Sequence, residues 1–521
     1  MTRTLRSSPR VRTMLSVVIE RAFPSTVPGL LTRLVARAPD RSWLFYEGDS
    51  WTAADVADQV ERAATGLAER GVNHGDRVAV MLGNRPETIF AWFAANRLGA
   101  VFVPINHALK RPEIAGALRL TRPKVVIASE HRPLVASAID ELDAALRPLL
   151  VSPGELALAG RGAPPVEVRP EDVAVLLSTS GTTGAPKAVA QSHSTYALTA
   201  EAFPFWLGLD ESDRLLAALP FFHINAQAYS TMGALGAGAG LAILPKFSAQ
   251  TFWPDARRLG ATQFNGVGAM INILLRTEPR PSDREHSIRV CYAALALPER
   301  EHVGFEARFG TSLTVGYGMS ETTFGTVWPR GVPPRYGTMG TLRQHPRLGE
   351  INRARVVRDD GSDAETNAPG ELWLQNPAAM SGYWEDAAAT AVALSGGWLR
   401  TGDLVRRDAD GFFTFVARKK DVIRRRGENV AAAEIENVLA MHPSVQEAAA
   451  IGVPSDLGED EIVAFVVARA GTVIDPEALR AWTREHLADF KVPKEIHALG
   501  ALPRTETARV AKHLLKERIT R

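Results

Sequence analysis

Apolar residues recur at helical spacing from Val27 through Leu34 and again from Ala53 to Leu67, a pattern that predicts two amphipathic helices. Between and after them come short unbroken apolar runs. Val78–Leu82 follows the turn residues Gly75-Asp76, Val101–Ile105 follows Gly99, and Val125–Ala128 follows Pro123. Runs this short, bounded by turn residues, read as buried strands. A helical pattern over Glu87–Leu98 separates two of them, and Val173–Leu177 is a further strand of the same kind. Strands alternating with helices predict an α/β fold of layered sheets and helices.

The texture shifts twice further on. From Arg358 to Leu374, Asp and Gly punctuate short strands, as in Asp359-Asp360-Gly361 and Pro369-Gly370-Glu371, which predicts a smaller β-rich subdomain. Near residue 418 comes the basic run RKKDVIRRR, and behind it a compact pattern restarts. A helix is expected over Ala431–Ala440, strands near Ala448–Gly452 and Ile462–Ala468, and a helix entered at Asp475-Pro476. Asp before Pro offers a capping acceptor and a preset first turn. The chain thus divides into a basic leader (1–26), a large N-terminal domain (27–417), a hinge (418–421) and a small α+β C-terminal domain (422–521).

Composition agrees with this division, since 521 residues with 45% apolar side chains can bury more than one core. Lys and Arg total 60 against 58 Asp and Glu, a net charge of +2. No concentrated basic face of the kind a nucleic-acid partner requires stands out. The single cysteine, Cys291, rules out an intramolecular disulfide and fits a reducing, cytoplasmic setting. No run reaches the roughly 20 apolar residues of a transmembrane helix. The leader carries Arg3, Arg6, Arg10 and Arg12 without an acid, and the run behind it, Met14–Ile19, is too short for a secretory signal.

The most informative segment follows the Val173–Leu177 strand. Residues 178–187 read Ser-Thr-Ser-Gly-Thr-Thr-Gly-Ala-Pro-Lys. Gly181 and Gly184 permit a tight turn and close backbone approach, and the N–H groups of such a turn attract phosphate oxygens. Ser180, Thr182 and Thr183 add hydroxyl donors, and Lys187 adds a point charge. Ala185 and Pro186 part the glycine from the lysine, so this is not a Walker loop.

With this loop in place, the chain resembles the adenylate-forming superfamily of acyl-CoA synthetases, luciferases and peptide-synthetase adenylation domains. The motifs that carry the resemblance appear in the family's order: STSGTTGAPK (178–187), LPFFH (219–223), GYGMSE (316–321), WLRTGD (398–403), RKKDVIRRRGENV (418–430) and LPRT (502–505). Within the superfamily, FFHINAQAYS (221–230) and the lack of a glycine pair near 291–297 resemble crotonobetaine/carnitine-CoA ligases. The resemblance implies a large N-terminal domain of layered sheets and helices and a small, mobile C-terminal domain. It also implies a reaction in which ATP and Mg2+ activate a small-molecule carboxylate as an acyl-adenylate, releasing pyrophosphate. CoA then takes the acyl group as a thioester. A carrier protein or an amine as acceptor, an oxyanion substrate such as nitrite, nucleotide binding without turnover, and pairing of two copies of the chain all stay open.

Residue by residue, the resemblance implies a site that neutralises and aligns two anions. Glu321 corresponds to the glutamate that helps hold Mg2+; apart from the motif it reads as an acid at a helix start. Tyr317 corresponds to the residue stacked on adenine, with Gly318 beside it, and Ser320 and Thr322 are candidate phosphate contacts. Asp403 corresponds to the carboxylate that accepts from the ribose hydroxyls, and Arg418 to a second ribose or phosphate contact. His223 corresponds to a residue at the carboxylate and acyl tunnel. A general base is not required there, because the acid is already ionised at neutral pH. Lys420 stands at the hinge position and Gly427 where a small residue lines the pantetheine path. The arginines at 424, 425 and 426 meet either CoA phosphates or solvent. Asn225, Gln227, Gly266 and Gly268 fall in segments that border the acyl pocket and point to a short or functionalised acid.

The sequence also departs from the family. After Leu502-Pro503-Arg504-Thr505 the family places Gly-Lys, with the lysine bridging the carboxylate and the α-phosphate. Here Ala508 and Arg509 stand in those places. A planar fork replaces a compact ammonium, so the charge is kept and the geometry is not. Ala188 and Ala417 replace customary glycines, and Val290-Cys291-Tyr292-Ala293-Ala294-Leu295 brings bulk to a segment that is usually Gly-Gly-Ala.

Overall fold

The computed structural model describes residues 23–179, 187–294, 296–419, 422–425, 428–454, 460–487, 489–505 and 509–519. The chain forms two compact units. One contains the residues up to Ala354 together with Trp373–Arg400 and Asp410–Phe413; the other contains Arg355–Leu372, Thr401–Ala409 and the residues from Thr414 onward.

The first unit is α/β, as the alternating pattern predicts. Its helices Val27–Arg37, Ala53–Glu69 and Pro86–Arg97 fall on the expected segments. Thr52 caps the second of these through a reciprocal capping box with Asp55, which satisfies N–H groups left open in the first turn. A seven-stranded sheet runs in the order Gly382–Tyr383, Lys187–Ser192, Val173–Thr179, Val101–Pro104, Arg77–Met81, Val125–Ala128, Leu149–Val151. From Val173–Thr179 to Leu149–Val151 the strands are parallel; Lys187–Ser192 pairs antiparallel with Val173–Thr179, and Gly382–Tyr383 pairs antiparallel with Lys187–Ser192. Every residue of Val101–Pro104 and Val125–Ala128 is buried. Burial on both faces is why these strands read as continuous apolar runs and not as alternating ones.

A nine-stranded sheet completes this unit. Its parallel part runs Ser312–Met319, Val290–Ala294, Gln263–Val267, Arg214–Ala217, Gly240–Ile243, Ser42–Tyr46. Thr322–Val327 returns antiparallel along Ser312–Met319. Two glycines make that return possible. A methyl group at Gly325 would lie 2.2 Å from the Tyr317 carbonyl oxygen, and one at Gly316 would lie 2.5 Å from the Tyr292 ring.

The second unit contains a three-stranded sheet in which Val445–Pro454 pairs antiparallel with Asp460–Ala468, and Asp460–Ala468 pairs parallel with Glu495–Leu499. Helices Ala432–Met441, Pro476–His486 and Lys512–Ile519 accompany it. Asp475 caps the Pro476 helix by accepting from Glu477 and Ala478 N–H. Arg425 is tied within this unit, with Nη1 donating to the Val492 carbonyl at 2.6 Å and Nη2 lying 3.0 Å from Glu461.

Candidate active site

The sequence-derived phosphate loop is the connection of a β-hairpin. Thr179 and Lys187 are paired opposite one another at its base. Ser180, Gly181, Thr182, Thr183 and Gly184 lie outside the described residues, so the site is built from what flanks them. Lys187 projects its ammonium over the Tyr383 ring, 4.9 Å from the centroid. Tyr383 in turn donates its hydroxyl to Glu321 Oε1 at 3.0 Å. The hairpin's lysine and the GYGMSE glutamate are therefore joined through one tyrosine.

Backbone pairing fixes this relay. Tyr383 pairs with Val189 on the lysine-bearing strand, and its N–H donates to Thr390 Oγ1 at 2.9 Å. Gln191, on the same strand, donates to the Ser320 carbonyl at 2.5 Å, and Met380 N–H donates to the Glu321 carbonyl at 2.7 Å. Glu321 thus sits in the turn between two antiparallel strands, Ser312–Met319 and Thr322–Val327, and not at the start of a helix. Burial first, and the Glu321 carboxylate second, push the Tyr383 hydroxyl well above the ordinary tyrosine range. It stays protonated and acts as a donor throughout the neutral range.

Tyr317 is buried beside this turn, with its hydroxyl 3.6 Å from Met319 Sδ, while Gly318 is exposed. Thr322 is fully buried; its hydroxyl donates to Asn376 Oδ1 at 3.1 Å and accepts from Phe324 N–H. His223 is half-buried with its ring 4.5 Å from that of Phe222. The segment after it, Asn225–Thr231, is a π-helix, an irregularity often found at functional sites. Gln227 spends its amide internally, accepting from Tyr196 and donating to the Phe221 carbonyl at 2.5 Å each. Asn225 Oδ1 is buried and has no protein partner among the described residues, which leaves it available to a ligand.

In the second unit, Asp403 is 1% exposed, and Arg418 Nε lies 3.0 Å from its Oδ1. Thr401 shapes the turn by donating to the Leu372 carbonyl at 2.7 Å and accepting from Asp403 N–H at 3.1 Å. Glu371 accepts from Gly402 N–H at 3.1 Å and lies 3.2 Å from Lys419 Nζ. Arg509 is exposed, and Thr505 N–H donates to its carbonyl at 2.7 Å. Lys420 and Gly427 lie outside the described residues.

Sequence reasoning missed Tyr383, Glu371 and Gln191. Tyr383 stands in Ser381-Gly382-Tyr383-Trp384, a string that has no chemistry of its own until strand pairing brings it to Glu321. It also missed Arg343, a fully buried guanidinium.

Two family descriptions match the chain: AMP-binding enzyme over residues 31–384 and AMP-binding enzyme C-terminal domain over 434–509. A crotonobetaine/carnitine–CoA ligase of Citrobacter koseri is 32% identical over 489 residues, covering 89% of this chain and 92% of that one. The structure of ATP-bound MatB from Rhodopseudomonas palustris superposes with a TM-score of 0.85 at 26% identity, covering 94% of this chain and 98% of that one. The Bacillus subtilis O-succinylbenzoate coenzyme A synthetase, MenE, in complex with ATP and a magnesium ion gives 0.83 at 27% identity, covering 94% and 99%.

Proposed function

The chain belongs to the AMP-binding enzyme family, and from that premise we propose that it is an AMP-forming acid–thiol ligase for a short or functionalised carboxylic acid. In the first half-reaction a carboxylate oxygen bonds to the α-phosphorus of ATP as the bond to pyrophosphate breaks. In the second, the thiol of CoA adds at the acyl carbon, AMP leaves, and the thiol proton is released. The Lys187–Tyr383–Glu321 relay is the observation that carries this reading.

The donor set suits Mg2+. Among the described residues no group of three His, Cys, Asp or Glu is gathered as a metal cage. Glu321 offers a carboxylate at the phosphate loop, which fits an ion that keeps waters and phosphate oxygens for the rest of its shell. When bound, Mg2+ supplies Lewis-acidic charge to the phosphates. Tyr383 fixes the direction in which Glu321 presents its oxygens, and Lys187 brings a second positive charge beside them. Tyr317 and Gly318 receive the adenine side of the nucleotide. Asp403, with Arg418 against it, accepts from the ribose hydroxyls. Ser320 serves the phosphates through its turn, and Ser180, Gly181, Thr182, Thr183 and Gly184 cradle them. His223 and Asn225 face the acid, Arg509 bridges it to the α-phosphate, and Lys420 and Gly427 serve the second half-reaction.

The lone buried Cys291 and the absence of a membrane-crossing helix among the described residues support a cytoplasmic enzyme. CoA is the proposed acceptor; a carrier protein would take its place only through the same thiol chemistry. A homodimer is compatible with the reading and adds nothing to it. Exchange of labelled pyrophosphate into ATP, screened over acids, tests the first half-reaction, and AMP release on adding CoA tests the second. Acid-dependent exchange is expected for a short acid. Firm ATP binding without exchange for any acid would mean a nucleotide-binding protein without turnover.

A further inference from the structure

The buried Arg343 occupies an aromatic box. Its guanidinium carbon lies 4.8 Å from the Trp206 ring centroid, 4.9 Å from that of Tyr229 and 5.3 Å from that of Tyr292. Nη1 donates to the Tyr229 hydroxyl at 2.6 Å and to the Thr323 carbonyl, Nη2 to the Tyr292 hydroxyl, and Nε to the Thr326 carbonyl at 2.9 Å. All of these partners are neutral. Burial presses the Arg343 pKa down, and Tyr229 opposes that, but a guanidinium keeps its charge in proteins. Such a box of ring faces is what recognises a ligand cation, and here the chain's own cation fills it.

The box lies directly behind Gly318 of the GYGMSE strand. Gly318 is exposed, and a methyl group built on it would lie 2.5 Å from the Tyr229 hydroxyl and 3.5 Å from Arg343 Nη1. Tyr229 belongs to the π-helix that follows His223, and Tyr292 supplies the bulk that the sequence shows where the family has glycine. Tyr229 thus shares its helix with Asn225, which the proposed function turns toward the acid.

We propose that Arg343, seated in the Trp206–Tyr229–Tyr292 box, makes this enzyme discriminate against acids that carry a fixed positive charge and accept neutral or anionic ones of the same shape. This rests on the acid-activating reading above. A ligand cation brought within about 6 Å of the guanidinium would, at an effective dielectric of about 20, be repelled enough for a discrimination on the order of 100-fold. The box also offers a ligand cation no vacant ring face.

The experiment compares a trimethylammonio-butanoate with its uncharged tert-butyl isostere, a dimethylhexanoate, in pyrophosphate exchange. Wild type should show kcat/KM at least about tenfold higher for the isostere, and a folded Arg343→Met variant should bring the two acids within a few-fold of each other. Equal use or preference for the cationic acid by wild type would overturn the proposal, and so would an unchanged ratio in the folded variant. Should the variant not fold, tetramethylammonium titrated into wild type decides. No saturable quenching of tryptophan fluorescence and no inhibition of exchange are expected, and saturable binding competitive with the acid overturns the proposal. If no acid of any kind supports exchange, the ligase reading fails instead. The same fluorescence titration of wild type and Arg343→Met then still tests whether the arginine closes the box to cations.

Discussion

Tyr383 donates its hydroxyl to Glu321 Oε1 at 3.0 Å while the Lys187 ammonium rests over its ring, so the glutamate and the end of the phosphate hairpin share one rigid support. A hydrogen bond to a charged group contributes about 1.5–3 kcal/mol. Tyr383→Phe keeps the ring that Lys187 packs on and removes that bond alone. Acid-dependent pyrophosphate exchange should fall about tenfold to a hundredfold and need more Mg2+ for half-maximal rate, with the melting temperature little changed. An unaltered rate and Mg2+ dependence would mean that Glu321 needs no such holding.

Arg509 stands where the family uses lysine. If its planar fork is fitted to the acid and the α-phosphate, Arg509→Lys loses one of two directed contacts. Exchange should then drop by about tenfold, and thioester formation from a preformed acyl-adenylate should be unchanged. Rapid-quench measurement of the two half-reactions separates these effects. A faster first half-reaction in the lysine variant would show that the arginine is a tolerated handicap.

His193 is fully buried, with Val27 N–H donating to its Nδ1 at 3.4 Å. Burial lowers its pKa from 6.5 to about 4, against a smaller opposing pull from Asp172. The unfolded chain therefore binds this proton at a higher pH than the folded one. Stability should be lost as pH falls from about 6.5 to about 4, by about 3 kcal/mol for this residue, and level off below. Denaturant unfolding across that range should show a His193→Gln variant with a slope smaller by about 1.4 kcal/mol per pH unit than wild type. Equal slopes would mean that His193 does not carry the effect.

Much of this was legible in the sequence, because its signals are local. The Val101 and Val125 runs read as buried strands since apolar continuity and flanking turn residues are short-range features, and Asp475-Pro476 marked a helix start for the same reason. Motif strings single out Glu321, Asp403 and Lys187 as candidates. They leave the supports out, because Tyr383 meets Glu321 across 62 positions of chain and Arg343 meets Tyr229 across 114. Nothing in Thr341-Leu342-Arg343 tells a surface arginine from a buried one. The π-helix after His223 escaped for a related reason: apolar periodicity over seven residues does not separate it from an α-helix. Gln227 looked like a substrate contact until its amide was seen bonded to Tyr196 and Phe221.

The central claim is that Glu321, held beside the phosphate hairpin, serves nucleotide activation of an acid. A single-turnover quench without CoA tests it most directly, using an acid that supports exchange, ATP and Mg2+, with wild type and Glu321→Gln side by side. Wild type should yield one pyrophosphate and one tightly held acyl-adenylate per chain, and the variant should form them at least about a hundredfold more slowly. A variant that forms acyl-adenylate at the wild-type rate would contradict the account.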